Sequence, residues 1–217
     1  MSLWHADGVV AMGLRNHVSA FASLRCKSTW TVFDYGCGST PYRSNFESRG
    51  AKYIGADIDG TPDLKIAADT ALPVTDETVD CVVSFQVLEH VRNVGAYLEE
   101  ARRILRPDGT LLLSTHGIWP YHPHPDDFWR WTRTGLIEIL ESNGFVVRSI
   151  EAVGGPTVWM ALFPMLAVKK LSRWLSIALS PAFLLVNILA IAAEKLTPHA
   201  IRNYNAAVYV VEARRSS

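Results

Sequence analysis

Apolar and polar positions along the chain follow two periods, which together predict strands that alternate with helices. Residues 8–25 carry apolar side chains at helical spacing and predict an amphipathic helix at one edge of the core. Residues 41–49 and the segments VGAYLEEARRIL and TRTGLIEILESNG predict further helices, the second of which ends at 107–109. Seven short apolar or alternating runs predict strands: TVFDYG, AKYIGADID, DLKIAAD, VDCVVSFQVL, TLLLSTHG, FVVRSIEAV and AAVYVVEARR.

This alternation is typical of an α/β fold, in which helices cover both faces of a mainly parallel sheet. Sheets of this kind bind their ligands beyond the carboxyl ends of the strands. We therefore expect the residues that carry the chemistry to lie in the loops that follow the strands, rather than at the opposite edge of the sheet.

Composition narrows the class of protein further. The 217 residues suit a single domain, and 49% apolar against 19% charged residues excludes a disordered chain. Basic and acidic residues are equal at 21 each, so we expect no nucleic-acid partner. Cys26, Cys37 and Cys81 are too scattered for a disulfide framework, which indicates a reducing compartment. The N-terminal segment has no uninterrupted apolar stretch typical of a signal peptide, so we expect a cytoplasmic protein.

The loop after the first predicted strand has features of a cofactor site. Gly36 and Gly38 allow a sharp turn and a close approach of backbone to ligand. The third glycine of a dinucleotide-binding loop is absent, which argues against NAD or FAD. Asp57 ends the second strand about 20 residues later, where a carboxylate can accept hydrogen bonds from ribose hydroxyls. Asp69 follows the third strand and Gln86 ends the fourth.

Five motifs in order resemble those of class I S-adenosylmethionine-dependent methyltransferases of the type 11 group: FDYGCG, YIGAD, ADTALP, VDCVVSFQVLEHV and ARRILRPDGTLLLS. The resemblance spans roughly residues 30–150. Within this group, the chain most resembles a bacterial subgroup that has GCGSxPY in the first loop and an HPxDFWRWT-like segment after the fifth strand. Members of this subgroup are often associated with cell-surface polysaccharide or lipid biosynthesis. The resemblance implies a Rossmann-like seven-stranded sheet, whose last strand is antiparallel to a parallel core.

The same resemblance implies that S-adenosyl-L-methionine is the cofactor and that nine residues bind it. Where the usual third glycine is replaced by Thr40, the subgroup shares the departure, so cofactor binding is still expected. The implied contacts are Asp34, Gly36, Cys37 and Gly38 at the methionine end, Asp57 at the ribose hydroxyls, Ile58, Asp69 and Thr70 at the adenine, and Gln86 beneath the sulfonium.

The His-rich loop, residues 116–131, follows the fifth strand and concentrates histidines, acids and aromatics. A methyl acceptor that is a hydroxyl needs a base, and imidazole is the side chain most often used near neutral pH. The candidates are His122 and His124 as general base, Asp126 or Asp127 as the acid that orients it, and His116 as an alternative base.

Structural interpretations of these segments stay open beside the catalytic one. The sequence HPHPDD is also typical of a stiff turn, and Trp129 and Trp131 are also typical of a core. We expect Glu89 and His90 to pack at the entrance of the following helix. No metal is expected, because Pro123 holds a short extended stretch and no further ligand cluster is evident in the sequence.

Residues 157–197, the apolar insertion, precede the last strand. Residues 174–193 are uncharged over 20 positions, a length that can span a membrane, but Pro181 interrupts the run and the last strand must return to the sheet. A helical hairpin within one leaflet fits better, with Lys169, Lys170 and Arg173 at anionic headgroups. The alternatives are a cover over the sheet and a dimer interface.

Together these patterns predict one methyltransferase domain over 1–217. Its parts are an N-terminal helical cover (1–29), a cofactor-binding core (30–151), the apolar insertion and a terminal strand (206–214). The predicted activity is O-methylation of a sugar or of a lipid-linked intermediate, in the cytoplasm or at the inner face of the cytoplasmic membrane. Methylation of a quinone or other isoprenoid is the alternative, followed by an inactive cofactor-binding scaffold and, more distantly, a NAD-dependent oxidoreductase. The sequence does not indicate an oligomeric state.

Overall fold

A computed structural model describes residues 3–216, which form a seven-stranded sheet with helices on both faces. The strands are β1 (Thr31–Tyr35), β2 (Lys52–Asp57), β3 (Leu64–Lys65), β4 (Val79–Phe85), β5 (Leu105–His116), β6 (Phe145–Val153) and β7 (Val208–Arg215). The helices are α1 (Gly8–Arg25), α2 (Arg43–Glu47), α3 (Val94–Ile104), α4 (Arg133–Ser142), α5 (Pro156–Leu171), α6 (Arg173–Ala178), α7 (Ser180–Leu196) and α8 (His199–Tyr204), with a 3₁₀ turn at Leu88–His90.

Strand pairing confirms the predicted fold class. The strand order is β3-β2-β1-β4-β5-β7-β6, and the pairs β3–β2, β2–β1, β1–β4 and β4–β5 are all parallel. Strand β7 runs antiparallel to both β5 and β6. In the centre of the sheet, Phe33 of β1 lies opposite Ile54 of β2 and Val82 of β4. Because these strands are parallel, the loops that follow β1, β2, β4 and β5 meet at one edge of the sheet.

Each face of the sheet has its own apolar layer. Helices α3 and α4 pack on one face, where Leu98 and Leu136 are fully buried. Helices α1 and α2 cover the other face through Val18 and Phe46, which are equally inaccessible to solvent. Sheets covered on both faces bury nearly continuous apolar strands, as β4 does with VDCVV.

Two boundaries differ from the sequence-based prediction. Only Leu64–Lys65 of the DLKIAAD run forms a strand, because this edge segment pairs with β2 over two residues and then turns along the edge of the sheet. Helix α3 ends at Ile104 rather than at 107–109, and β5 already begins at Leu105. Residues 107–109, which were expected to end the helix, instead lie within β5, where the register with β4 shifts.

The apolar insertion forms a packed hairpin of helices rather than one long helix. Pro181 stands in the first turn of α7, so the uncharged run of 20 residues is divided between α6 and α7. Helices α5 and α7 bury Val158, Leu162 and Ala190 in the same apolar layer as α1. Among residues 3–216, none of the helices has the combination of length and hydropathy that a membrane crossing requires.

The hairpin is also fastened by buried polar contacts. The Asn187 side chain donates hydrogen bonds to the carbonyls of Leu3 and His5, at 2.8 and 3.0 Å. Glu194 of α7 accepts hydrogen bonds from the backbone N–H of Gly155 and from the Thr157 hydroxyl at the start of α5. The negative charge of Glu194, which lies at the N-terminus of α5, is also stabilised by the positive end of the α5 helix dipole. The inner side of the insertion therefore covers the sheet, whereas its outer side faces solvent.

Candidate active site

A cleft of about 990 Å³ lies at the carboxyl edge of the parallel strands. Its walls come from the loops after β1, β2, β3 and β4 and from part of the His-rich loop. The volume is at the upper end of the range usual for small-molecule sites. The lining includes eight of the nine predicted cofactor residues, namely Gly36, Cys37, Gly38, Asp57, Ile58, Asp69, Thr70 and Gln86.

The glycines after β1 are required by the local geometry. Gly36 has φ +85°, and a Cβ at this position would lie 2.5 Å from Cγ2 of Val87. Gly38 has φ +51°, and a Cβ there would meet no atom within 4 Å, so its position is open toward the cleft. The turn therefore brings bare backbone to the edge of the sheet, as a closely bound ligand requires.

The Asp57 carboxylate is held in place by two backbone donors at the end of β2. The N–H of Gly38 donates to Oδ2 at 2.7 Å, and the N–H of Asp59 donates to Oδ1 at 3.0 Å. A carboxylate can accept about four hydrogen bonds, so lone pairs remain for a ligand hydroxyl. Ile58 follows it in the lining and is 39% exposed, an apolar surface beside the acid.

Three non-glycine residues around the cleft adopt the left-handed backbone conformation. Thr40 and Asp69 have φ +54° and Gln86 has φ +59°. Each such residue costs of order 1 kcal/mol, and residues of this kind cluster at functional sites. Thr40 thus has the backbone conformation that a glycine would adopt, which explains how the loop tolerates the missing third glycine. Gln86 is held by a hydrogen bond from its Nε2 to the Ser114 hydroxyl, at 3.0 Å.

Asp34 does not line the cleft, in contrast to the role that the family resemblance implied for it. The residue is 2% exposed within β1, and its Oδ2 accepts a hydrogen bond from the Tyr53 hydroxyl. Burial raises the pKa of Asp34 to about 7, and the Tyr53 hydrogen bond opposes that shift. The Asp34 side chain is buried and does not face the cleft. Asp34 can therefore affect the site only indirectly, by supporting the backbone of β1 that leads into the glycine turn.

An ion pair within the His-rich loop determines how the loop folds. Arg130 makes a bidentate contact with the Asp127 carboxylate, at 2.6 and 2.5 Å, and also donates to the carbonyls of Trp119 and Pro120. The Asp127 side chain is almost fully enclosed, and Arg130 holds the pKa of that carboxyl well below its usual range. The backbone N–H of His122 donates to the same carboxylate at 2.9 Å. Asp127 therefore organises the loop rather than facing the cleft.

Four histidines near the His-rich loop lie in two layers, one that lines the cleft and one behind it. His90 and His124 line the cleft, with ring centroids 6.4 Å apart. His122 lies behind His90, at 5.0 Å, and His116 lies 4.7 Å beyond His122. Burial and the neighbouring His116 lower the pKa of His122. Of the two predicted bases, the structure therefore brings His124 into the cleft and leaves His122 outside its lining.

Of the two acids predicted to orient the base, Asp127 is the one that lies near His122. Asp126 lines the cleft, but its side chain does not pair with His122, whose nearest carboxylate is Asp127 at 3.5 Å. Instead, the backbone carbonyl of Asp126 lies 2.5 Å from Nδ1 of His90. His90 was expected to pack at a helix entrance and was not among the predicted bases. The signal that could have found it is its position in the segment directly after β4, at the ligand edge of the sheet.

Comparisons with known proteins identify the family. A family model described as a methyltransferase domain matches residues 14–150, more than half of the chain, including the strands and loops that form most of the cleft. The chain belongs to this methyltransferase family. A methyltransferase from Mesorhizobium loti that depends on S-adenosylmethionine shares the fold, with a TM-score of 0.60 at 17% identity over 97% of this chain and 100% of that one. The fold is therefore that of the class I enzymes, whose cofactor is S-adenosylmethionine.

Curated relatives match the methyltransferase over part of their length. A probable S-adenosylmethionine-dependent methyltransferase from Mycolicibacterium smegmatis is 29% identical over 158 residues, which are 64% of this chain and 61% of the relative. A ubiquinone biosynthesis O-methyltransferase from Rhodopseudomonas palustris is 33% identical over 107 residues, 43% of this chain and 42% of that enzyme. The methyltransferase therefore spans less than two thirds of the length of these relatives.

The cleft of the methyltransferase fits S-adenosylmethionine. The bare backbone at Gly36 and Gly38 leaves room for the methionine portion, and the Asp57 carboxylate retains acceptor capacity for ribose hydroxyls. Ile58 adds an exposed apolar surface beside that acid, as an adenine ring requires. Tyr35 and Tyr97 stack with centroids 3.9 Å apart in the same lining. The donor, acceptor and apolar surfaces of the cleft thus match the chemistry of the cofactor.

The buried Asp34 predicts a distinct pH dependence of stability. Its pKa is about 7 in the folded protein and near 4 when unfolded, so only the folded state binds the proton between these values. We expect the Asp34 contribution to the free energy of unfolding to be largest below about pH 4 and to fall by about 1 kcal/mol per pH unit up to about pH 7. Denaturant unfolding at several pH values will measure this slope.

Asp34→Asn is the matched variant, because the amide resembles the protonated acid and can still accept from Tyr53. We expect the variant to have a flatter stability profile between about pH 4 and 7 than the wild type. Parallel profiles for the two proteins would show that Asp34 is ionised in the folded state throughout this range and would contradict its assignment.

Proposed function

We propose that the methyltransferase transfers the methyl group of S-adenosylmethionine to a hydroxyl oxygen of a sugar or lipid-linked acceptor. The observation that carries this proposal is the continuity of the cleft, since the same cavity is lined by the cofactor loops and by the imidazoles of His90 and His124. A cofactor in the first part and a hydroxyl beside the imidazoles would share one continuous cleft, as a direct transfer requires.

The cofactor residues keep the roles that the resemblance implies, with Asp34 moved behind the site. We assign Gly36, Cys37 and Gly38 to the methionine end and Asp57 to the ribose hydroxyls. The adenine is assigned to Ile58, Asp69 and Thr70, and the sulfonium side to Gln86. The cleft lining supports these assignments, because it contains all eight residues in positions that follow β1, β2, β3 and β4 in turn.

In the proposed reaction, the acceptor oxygen attacks the methyl carbon, the carbon–sulfur bond breaks, and S-adenosylhomocysteine leaves with the bonding electron pair. The hydroxyl proton passes to an imidazole. His90 suits this step because a carbonyl can only accept, so its Nδ1 must donate the proton to the Asp126 carbonyl. The opposite nitrogen, Nε2, is then the unprotonated one and is available as a base. His124 is the second imidazole available in the cleft.

A quinone or isoprenoid acceptor is the second candidate. It is favoured by the relatives named ubiquinone biosynthesis O-methyltransferase, which share 30–33% identity over about half of this chain. An apolar pocket formed by the apolar insertion would favour such an acceptor. In the described part of the chain, however, the cleft lining ends at Phe128, before the insertion begins. The open cleft therefore supports a sugar or lipid-linked hydroxyl as the first candidate.

The apolar insertion supports a location at a lipid surface. Its outer side exposes large apolar side chains, and α6 buries none of its residues. Lys170 and Arg173 flank this surface, as basic residues do at anionic headgroups. Lys170 also donates a hydrogen bond at 2.8 Å to the carbonyl of Tyr121, in the His-rich loop. A surface bound through the insertion would thus lie next to the loop that lines the acceptor end of the cleft. The exposed apolar residues include Met160, Phe163, Trp174, Leu175, Ile177, Leu185, Ile188 and Leu189.

Calorimetric titration with S-adenosylhomocysteine tests the cofactor site. We expect about micromolar affinity for the wild type and at least about a tenfold loss for Asp57→Ala, because several charge-assisted hydrogen bonds are removed. Glu141→Gln on α4 is the control, since this exposed acid lies outside the cleft. Equal affinity for wild type and Asp57→Ala would contradict the ribose assignment.

Methyl transfer to a panel of sugar and lipid-linked hydroxyl acceptors tests the proposed base. We expect His90→Ala to lower kcat by about 100-fold or more while the affinity for S-adenosylhomocysteine stays unchanged. His17→Ala on α1 is the control, because this histidine lies outside the cleft. Full activity of His90→Ala would exclude the His90 imidazole as the base and transfer that role to His124, which the same assay examines through His124→Ala.

Flotation with liposomes tests the lipid surface. We expect the wild type to float with vesicles that contain anionic lipid, and the double variant Trp174→Ser/Leu175→Ser to remain at the bottom of the gradient, because apolar burial is lost. Leu24→Ser is the control, since Leu24 is 82% exposed on α1 and lies outside the insertion. Wild-type protein that stays at the bottom with every lipid composition would contradict the membrane location.

A further inference from the structure

Three potential metal ligands converge behind the cleft, outside the residues that line it. Glu89 lies in the 3₁₀ turn after β4, His116 ends β5, and His122 lies in the His-rich loop. One donor atom from each side chain lies within 4.8 Å of the other two. Glu89 and His116 are almost completely buried, whereas the His122 side chain is 33% exposed. The proposed methyl transfer uses none of these three side chains.

The donor atoms of this cluster lack hydrogen-bond partners. Oε1 of Glu89 and Nδ1 of His116 are 2.7 Å apart, yet neither atom has a partner with hydrogen-bond geometry. Nδ1 of His122 is also buried without a hydrogen bond, and Oδ2 of Asp127 lies 3.5 Å from it. Unsatisfied polar atoms in an interior are costly, and three at one place indicate that the pocket suits a further group.

The surrounding structure holds these side chains in position. The second oxygen of Glu89, Oε2, accepts a hydrogen bond from the Thr115 hydroxyl at 2.8 Å. The ring of His116 stacks on Trp119, with centroids 4.5 Å apart and an interplanar angle of 16°. Hydrogen bonds and packing around ligating groups fix their orientation and strengthen metal binding. Glu89 and His116 are therefore oriented before any ion arrives.

We propose that Glu89, His116 and His122 form a binding site for one divalent transition-metal ion of the zinc type. Two imidazoles and one carboxylate are a donor set that Zn²⁺ uses with a further open position. Ligand atoms around tetrahedral zinc are about 3.3 Å apart. Glu89 and His116, now 2.7 Å apart, would therefore separate by about 0.6 Å, and His122 would move toward them within the 4.8 Å limit of the cluster. The proposal departs from the sequence-based expectation of no metal, which considered His122 with His124 and an aspartate.

The position of the site gives the ion a positioning role. Its three ligands belong to the turn after β4, the end of β5 and the His-rich loop, so one ion would connect all three segments. The ring of His90 lies 5.0 Å from that of His122, directly between this site and the cleft. Ion binding would thus fix the loop and the turn from which the acceptor end of the cleft is built.

Titration of chelator-treated protein with ZnCl₂ tests the site without any methyl acceptor. We expect one ion per chain, a higher midpoint of thermal unfolding with Zn²⁺, and an affinity at least about tenfold weaker in His122→Ala. His124→Ala is the matched control, because this neighbouring histidine lies outside the ligand set and should leave the affinity unchanged. Equal zinc affinity in His122→Ala and wild type would overturn the proposal, as would the absence of stoichiometric binding.

Titration with Co²⁺ gives a second readout that reports ligand geometry. We expect the visible absorption bands of four- or five-coordinate cobalt in the wild type and in His124→Ala, and their loss in His122→Ala and Glu89→Gln. If Glu89→Gln fails to fold, as circular dichroism will show, the half-exposed His122 variant still decides the outcome. A spectrum of hydrated six-coordinate cobalt in the wild type would contradict the site. Because neither titration needs substrate, their failure is distinct from a failure of the proposed function.

Discussion

The parallel pairing of β1 with β2 and β4 is the constraint on which the candidate site depends. It places the ends of these strands side by side, so the glycine turn, Asp57 and Gln86 share one edge although they are separated along the chain. The hydrogen bond from the Gly38 N–H to Asp57 connects the first two of these loops directly. A shift of one residue in this register would turn Asp57 to the other face of the sheet and remove the acceptor from the cleft.

The acceptor end depends on a different kind of interaction, because its loop has no strand to fix it. Arg130 forms an ion pair with the almost fully enclosed Asp127 carboxylate, and its guanidinium also donates to two carbonyls at the start of the loop. The backbone N–H groups of Phe128 and Trp129 donate to the Glu89 carbonyl, which attaches the loop to the turn after β4. Bidentate pairs of this type give directional positioning as well as energy. Polar contacts thus position the acceptor end, whereas sheet register positions the cofactor end.

This difference explains how much of the molecule could be predicted from the sequence. Strand alternation was enough to predict the sheet and its ligand edge. The family resemblance implied nine cofactor residues, and eight of them line the cleft because parallel pairing brings their loops together. That Asp127 rather than Asp126 lies next to His122 could not be predicted, since it depends on which acid Arg130 binds three residues away. His90 was missed for a related reason: a short turn after β4 places its ring in the cleft, and periodicity does not predict where such a turn points its side chains.

For the apolar insertion, hydropathy alone does not distinguish a cover over the sheet from a segment that binds lipid. The run of 20 uncharged residues reads as one apolar segment, but Pro181 divides it, and only one side of each long helix packs on α1 and the sheet. The polar side chains of Asn187 and Glu194 hold that inner side to backbone groups, and both side chains would be costly in a segment immersed in lipid on all sides. A helix that packs on one side and exposes large apolar side chains on the other is suited to lie along a surface rather than to cross it. The inner side of the insertion therefore covers the sheet, and its exposed outer side is the part that the proposed lipid surface would contact.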